Sequence, residues 1–464
     1  MRSPAPASSR SLFRHPDFLK LWTGETISQF GTQISLLAIP FVALGILHAT
    51  PFEYGLLGTV EFLPFILFTL PAGAWIDRLR RRPVLIVGDL GRAVSLASIP
   101  IAYELGVLTI WQLFVVGFVN GVLTVFFDVA YQSYLPSLVD RDQIVDGNSK
   151  LEVSRSAAQI GGPGIAGFLV GIVGAPVAII GDAVSFVVSA VAVILIRHPE
   201  ATPDRHVDEH GRRREGLRRE VASGLRYVLG NRYLRSIAAS TGWSNLFSSI
   251  LFVALFPYML RDLGLEAQAV GLVFAVGNVG ALVGALAANR VARWLGVGWA
   301  IVLAMFLSGP QGLLVALAPR DAAVPILIVS LGLGGISQMV YNINQVSFRQ
   351  AITPGTIQGR MNATMRFIVW GTIPIGSILG GALGTVVGLH ATIWIGAIGG
   401  ALAFLPLLIG PLRSLRMMPE PVDGAGAAAT TAAEATGIGA DASEASTFEG
   451  AERRHGLPSA TIVG

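Results

Sequence analysis

Residues 54–82 read YGLLGTVEFLPFILFTLPAGAWIDRLRRR, a long apolar run that ends in a cluster of arginines. About 20 apolar residues in a helix cross the ~30 Å hydrocarbon core of a bilayer. Runs of this length recur along the chain and predict an all-α membrane protein with twelve transmembrane helices. We place these helices at 18–47, 54–75, 83–103, 110–132, 151–173, 176–196, 234–260, 267–289, 298–318, 323–347, 360–387 and 389–411.

Composition excludes several classes of protein. Only 13% of the 464 residues are charged, compared with about 25% in soluble domains. The chain has no cysteine, which excludes disulfides, zinc–thiolate sites and cysteine nucleophiles. Neither of its lysines, Lys20 and Lys150, follows a glycine-rich phosphate loop, so we expect no ATPase site. His206 and His210 match a zinc motif only within a charged linker, and we expect no metal, no cofactor, no enzymatic activity and no nucleic-acid partner.

The positions of the basic residues predict the orientation. The arginines at 78–82 and ten more at 197–235 fall on the side of the two termini, whereas only Arg261 and Arg320 fall in loops on the opposite side. Basic loops stay preferentially cytoplasmic, so we predict a multi-pass protein of the inner or plasma membrane with both termini in the cytoplasm. The expected organisation is an N-terminal cytoplasmic segment 1–17, a six-helix half 18–196, a partly amphipathic cytoplasmic linker 197–233, a second half 234–411 and a disordered tail 412–464.

A weak internal repeat supports two related halves. An offset of 214 residues aligns Asn148 with Asn362, Gly162 with Gly376, and Gly167 with Gly381. Two repeated six-helix units predict two pseudo-symmetric halves, with a substrate site between them near the membrane midplane.

Two motifs resemble those of a known superfamily. The segment with Gly73, Asp77, Arg78, Arg81 and Arg82 resembles the signature loop between helices two and three of the major facilitator superfamily, although Arg80 replaces a second glycine. A carboxylate there can meet a helix N-terminus or an arginine of the other half, which would make this loop a cytoplasmic gate.

The second motif, Gly162, Pro163 and Gly167 on helix five, resembles the glycine–proline motif of the superfamily's antiporters. Segments 21–31, 134–139 and 349–366 resemble the branch that contains macrolide-efflux proteins and the catechol-siderophore exporter. The resemblance implies the major facilitator fold and proton-driven export of drug-, macrolide- or siderophore-like molecules. An arginine common on helix four of drug antiporters is absent near Gly117, which leaves that proton-relay role without an occupant.

Charged side chains inside a membrane are costly and usually functional. The predicted spans of the first half contain Glu25, Glu61, Asp89, Arg92, Asp128, Arg155 and Asp182, whereas those of the second half contain no acidic residue. We rank Glu61, Glu25 and Asp128 as proton-coupling candidates, because a carboxyl group that is hydrated in only one state can exchange a proton. Asp128 is also a predicted gate partner of Arg81 and Arg82. The second half offers neutral polar candidates for the cavity: Asn245, Gln338, Asn342 and Gln345.

Two other functions remain open at this stage. One is a lipid or nutrient transporter of the same fold without proton antiport, and the other is a non-transporting membrane receptor or scaffold. The expected partners are a small-molecule substrate, protons and the lipid bilayer, and we expect the chain to be a monomer.

Overall fold

A computed structural model describes residues 12–76, 79–198, 200 and 217–419. The helices are α1 (Pro16–Phe41), α2 (Pro51–Ile76), α3 (Arg81–Glu104), α4 (Ile110–Leu138), α5 (Ile144–Val173), α6 (Ala175–Ile194), α7 (Leu217–Gly230), α8 (Arg232–Pro257), α9 (Ala267–Leu295), α10 (Val297–Ala316), α11 (Ala323–Ala351), α12 (Gly355–Trp370), α13 (Thr372–Val386), α14 (Leu389–Ala401) and α15 (Leu405–Ile409). No strand occurs within the described ranges. Twelve helical segments are long and apolar enough to cross a membrane, which confirms the predicted count.

The chain forms two pseudo-symmetric halves, α1–α6 and α8–α15. Both halves open with a long helix that passes a proline, Pro40 or Pro257, and ends in a wider π-helical turn, Val42–Ile46 or Tyr258–Asp262. Proline cannot donate the next helical hydrogen bond, which explains a local change in winding at both places. The two repeats therefore share a local irregularity as well as an order of helices.

Glycines bring the two halves into backbone contact. A Cβ atom at Gly167 of α5 would lie 2.9 Å from Cα of Gly271 on α9, and one at Gly55 of α2 would lie 2.9 Å from Cα of Gly381 on α13. Approach this close requires residues without a side chain. Gly167 and Gly381 are the pair that the 214-residue repeat aligns, so the repeat corresponds to two equivalent seams.

The halves meet at the end of the bundle away from the termini. We call the end at which α1 begins and α15 ends the terminus end, and the other the far end. At the far end, Nη2 of Arg261 donates to the carbonyl of Ala49 at 2.7 Å, and the rings of Tyr54 and Phe256 lie 6.4 Å apart. These contacts join the halves directly, so the far end is closed.

Several boundaries differ from the predicted ones. Helix α5 begins at Ile144 rather than 151, because the polar segment before its apolar run is also helical. The span predicted at 360–387 is two helices that meet at Gly371, three residues before Pro374. Pro374 cannot donate to the carbonyl of Trp370. That missing hydrogen bond accounts for the interruption.

Two segments assigned to linker and tail pack against the second half. In α7, Val228 is fully buried and the hydroxyl of Tyr227 donates to the carbonyl of Ile352 at 3.3 Å. Residues 412–419, predicted as the start of the disordered tail, include fully buried Leu412 and bond to the start of α10, where the amide of Gly298 donates to the carbonyl of Leu415 at 3.0 Å. The packed second half thus extends beyond the predicted boundaries at 234 and 411.

Candidate substrate cavity

A cavity of about 1290 Å³ lies between the halves. Pockets for drug-sized ligands commonly measure roughly 300–1,000 Å³. Residues Asn148 and Glu152, in the first turns of α5, line its wall, so the cavity extends towards the terminus end. The lining is aromatic on both sides, with Tyr54, Phe127, Tyr131, Phe186, Phe252, Phe256 and Phe274. A bulky, partly apolar molecule fits such a space.

Acidic groups outnumber basic groups in the cavity wall. The charged lining residues are Glu25, Glu61, Asp128, Glu152, Asp182, Arg92 and Arg155. All of them belong to the first half. The second half contributes aromatic rings and neutral polar groups such as Asn245, Ser248 and Asn278. This division agrees with the charge distribution in the sequence.

Glu61 stands where two glycines of α4 face α2. A Cβ atom at Gly117 would lie 2.8 Å from Cγ of Glu61, and one at Gly121 would lie 2.6 Å from its carbonyl oxygen. Within the described part of the chain, no hydrogen bond or ion pair involves the Glu61 carboxylate. Gly117 therefore makes room for the side chain of Glu61 and supplies no cation beside it.

Glu25, unlike Glu61, is held by a hydrogen bond from a neighbouring side chain. Its side chain is buried, and Oε1 accepts a hydrogen bond from Nε2 of Gln29 at 2.6 Å. Its other oxygen, Oε2, is buried without a partner among the described residues. One satisfied and one unsatisfied oxygen make Glu25 a weaker proton-coupling candidate than Glu61, because Gln29 already binds part of the carboxylate.

Arg92 is the shared counter-ion of the first half. Its Nη2 lies 2.6 Å from Oδ1 of Asp89, and its guanidinium lies 4.2 Å and 4.1 Å from the ring centroids of Phe127 and Phe186. Arg92 also interacts electrostatically with Glu25, Asp128 and Asp182. The sequence identified Arg92 only as a charge inside a span. Its spacing of three residues from Asp89 on an apolar helix was the available signal.

Asp182 joins two helices of the first half through hydrogen bonds. Its carboxylate accepts hydrogen bonds from Oγ of Ser35 at 2.5 Å and Oγ of Ser185 at 3.1 Å. Gly31 makes this possible, because a Cβ atom there would lie 2.7 Å from Oδ1 of Asp182. The side chain thus joins α1 to α6.

Among the described residues, no ion pair joins Asp128 to Arg81 or Arg82, so the predicted gate partnership stays a prediction. The backbone amides of Arg81 and Arg82 donate to the carboxylate of Glu200, at 2.5 and 3.1 Å, and Nη2 of Arg82 donates to the carbonyl of Ile194 at 2.6 Å. The side chain of Arg82 therefore binds the end of α6, and the backbone amides of Arg81 and Arg82 bind Glu200.

Asp128 instead faces the cavity. The cations that act on it electrostatically are Arg92, Arg155 and, across the halves, Arg366. The remaining gate residues give less information. Asp77 and Arg78 lie outside the described residues, and a Cβ atom at Gly73 would meet nothing within 4 Å.

Of the four neutral polar residues predicted to line the cavity, one does and three do not. Asn245 lines the cavity, and its Nδ2 donates to the carbonyl of Val369 at 3.0 Å. Gln338, Asn342 and Gln345 do not line it. Gln338 and Asn342 are exposed elsewhere on α11, and Gln345 is buried with its Nε2 donating to Asn342 at 3.0 Å.

The glycine–proline motif lies at two helix contacts. A Cβ atom at Gly162 would lie 2.6 Å from Cβ of Gln33 on α1, whereas Gly167 faces Gly271 on α9. Pro163, between them, lines the cavity. The motif therefore joins α5 to its own half on one face and to the opposite half on the other.

Residues 7–423 match the family model described as transmembrane secretion effector. The chain belongs to this family of the major facilitator superfamily. Among its relatives, the multidrug efflux pump Tap of Mycolicibacterium fortuitum is 27% identical, over 78% of this chain and 88% of Tap. Macrolide efflux protein A of Streptococcus pyogenes is 24% identical, over 80% of this chain and 90% of its own.

A solved structure supports the fold. An inward-facing bacterial homologue of the iron transporter ferroportin superposes with a TM-score of 0.69 at 17% identity, over 87% of this chain and 100% of that one. Together with the family, this likeness confirms the major facilitator fold. The chain is a multi-pass membrane transporter of small molecules and not an enzyme.

Proposed function

We propose that this transporter exports amphiphilic small molecules, of drug, macrolide or siderophore-like character, by proton antiport with alternating access. The observation that carries the proposal is the unpaired carboxylate of Glu61 in an aromatic cavity between the two halves. The names of the two relatives, a multidrug pump and a macrolide efflux protein, favour export over import.

The cavity favours an amphiphile as substrate. Aromatic rings supply a large apolar surface, and Phe252, Phe256 and Phe274 lie within about one ring diameter of each other, with centroids 5.3–6.0 Å apart. Polar groups on α1 and α4 face them from the first half. A molecule with an apolar body and a few polar groups satisfies both walls.

Glu61 is the first candidate for proton coupling, followed by Glu25 and Asp128. A proton-driven exporter needs a group whose charge changes between the inward- and outward-facing states. Glu61 has no competing partner, Glu25 is bonded to Gln29, and Asp128 lies near Arg366 of the other half. The asymmetry of the cavity wall restricts this chemistry to the first half.

We place both termini in the cytoplasm, so that the cavity of this structure opens inward and loads substrate from the cell. The chain lacks cysteine, so single cysteines report sidedness without background. Asp321→Cys, in an exposed loop of the far end, should react with a membrane-impermeant thiol reagent added outside intact cells. Ser414→Cys, exposed at the terminus end, should react only after permeabilisation. The reverse pattern contradicts the orientation.

A panel assay tests the function as a whole. Purified protein in liposomes with an imposed pH gradient should accumulate at least one of a set of macrolides, siderophores and amphiphilic dyes. A protonophore should abolish that accumulation. Accumulation that survives the protonophore favours the lipid or nutrient transporter without antiport, and no transport of any panel member favours the receptor or scaffold.

A further inference from the structure

The glycine–proline motif of α5 leaves one backbone carbonyl without the amide donor that an α-helix normally supplies. In an α-helix each carbonyl accepts from the amide four residues later. The residue four positions after Gln159 is Pro163, which has no N–H to donate. The carbonyl of Gln159 instead accepts a hydrogen bond from Nδ2 of Asn278 at 2.6 Å. Asn278 belongs to α9, in the opposite half.

This hydrogen bond lies where the seam between α5 and α9 meets the cavity. Asn278 follows Gly271 by seven residues, or about two helical turns towards the terminus end. Gly271 is in backbone contact with Gly167, whereas Pro163 and Asn278 both line the cavity. The bond therefore joins the halves at the edge of their contact.

Among the described residues, no hydrogen bond of this kind, to a carbonyl that lacks its helical donor, crosses the second seam. Phe62 follows Gly55 by seven residues, as Asn278 follows Gly271, and its side chain cannot donate a hydrogen bond. Here an edge-on contact joins the rings of Phe62 and Trp370, with centroids 6.0 Å apart. The second seam also has a polar contact, since Oγ1 of Thr59 donates to the carbonyl of Pro374 at 3.3 Å. What distinguishes the Asn278 contact is its acceptor, a carbonyl that has lost its helical donor.

We propose that Asn278 is a positioning residue that latches the two halves in the state in which the cavity opens at the terminus end. The carbonyl of Gln159 lies at the cavity wall, so a donor from the opposite half adds one net hydrogen bond, about 0.5–1.5 kcal/mol, to the state in which the bond forms. When the terminus end closes, the seam rearranges and the bond breaks. The Asn278 hydrogen bond involves no charged group. The proposal goes beyond the proposed function, because the bond sets the ratio between the state open at the terminus end and the state closed there, whatever the substrate.

A cross-link at the far end reports that balance. A Cβ atom at Gly384 would lie 2.9 Å from Cβ of Pro51, and a disulfide needs about 3.5–4.5 Å between Cβ atoms. A small adjustment therefore allows Pro51→Cys and Gly384→Cys to form a disulfide while the far end is closed. In this cysteine-free chain the rate of oxidative cross-linking measures the population of the latched state.

The test is a double-mutant cycle in the cross-linking background. Loss of one hydrogen bond through Asn278→Leu, an exchange of similar volume, should lower the ratio of latched to unlatched molecules roughly three- to tenfold and slow cross-linking to match the smaller latched population. Pro163→Ala restores an N–H to α5, so in that background Asn278→Leu should change the rate less than about twofold. Asn344→Leu is the control, because Nδ2 of Asn344 donates at 2.8 Å to Val340 within the second half. This control should also stay within about twofold.

An equal effect of Asn278→Leu in both backgrounds, or no effect beside wild-type Pro163, would overturn the proposal. Size-exclusion chromatography in detergent checks that each variant folds. If the leucine variant fails this check, Asn278→Asp replaces it, since a carboxylate keeps the size and presents an acceptor to the carbonyl. Cross-linking of Asn278→Asp at the wild-type rate would overturn the proposal in the same way.

Discussion

Glu61→Gln abolishes the uphill export of substrate and leaves downhill exchange largely intact. This is the expected result because glutamine keeps the size and polarity of the side chain but cannot bind and release a proton. The steady-state gradient of substrate should fall to about unity, since no proton movement is then coupled to export. Uptake into proteoliposomes under an imposed pH gradient, compared with exchange of labelled for unlabelled substrate, measures the two activities separately.

Glu152→Gln is the matched control for this substitution. Glu152 is an acidic residue of the same cavity wall, but it is exposed near the terminus end of α5. The Glu152→Gln variant should retain proton-coupled export. If Glu61→Gln still concentrates substrate, and a protonophore still abolishes that gradient, the coupling group is another residue and Glu25→Gln becomes the next variant.

Arg92→Gln should destabilise the first half strongly. Asp89 has no exposed surface and Arg92 is only 6% exposed, and removal of one partner from a buried ion pair costs about 3–5 kcal/mol. Glu25, Asp128 and Asp182 lose the same counter-ion. Thermal unfolding of the detergent-solubilised protein measures the effect, together with the yield of folded protein.

Two further variants separate charge from packing at this position. Arg92→Lys keeps the charge but loses the flat guanidinium between Phe127 and Phe186, so it should be intermediate in stability. Arg92→Gln combined with Asp89→Asn removes both members of the pair and should recover part of the loss. A double variant no more stable than Arg92→Gln alone contradicts the role of Arg92 as the counter-ion of Asp89.

The sequence predicts the membrane helices well, because span length and apolar composition are local properties. The 214-residue repeat predicts the two halves, and the structure adds that the aligned glycines, Gly167 and Gly381, lie at equivalent seams. The acidic side of the cavity follows from the absence of carboxylates in the second half. These features depend on what each helix contains rather than on how it is rotated.

Rotation of a helix about its axis is what the sequence does not determine. Gln338, Asn342 and Gln345 have the polarity of cavity residues, but none of them is among the residues that line the cavity. An aromatic cavity is expected from the composition of the spans, but Phe252, Phe256 and Phe274 could not be identified as its wall, because aromatic residues in apolar spans carry no signal of which face they occupy. The bond from Asn278 to Gln159 joins residues 119 positions apart, and only the unpaired carbonyl before Pro163 could be inferred locally.

Proton release from the purified protein tests the central claim most directly. A substrate found in the panel assay is added to the detergent-solubilised transporter in weakly buffered solution, and the pH change is recorded alongside binding. If substrate and proton compete at Glu61, the wild type releases about one proton for each substrate bound. The Glu61→Gln variant binds substrate and releases none. Binding to the wild type without proton release would contradict the account.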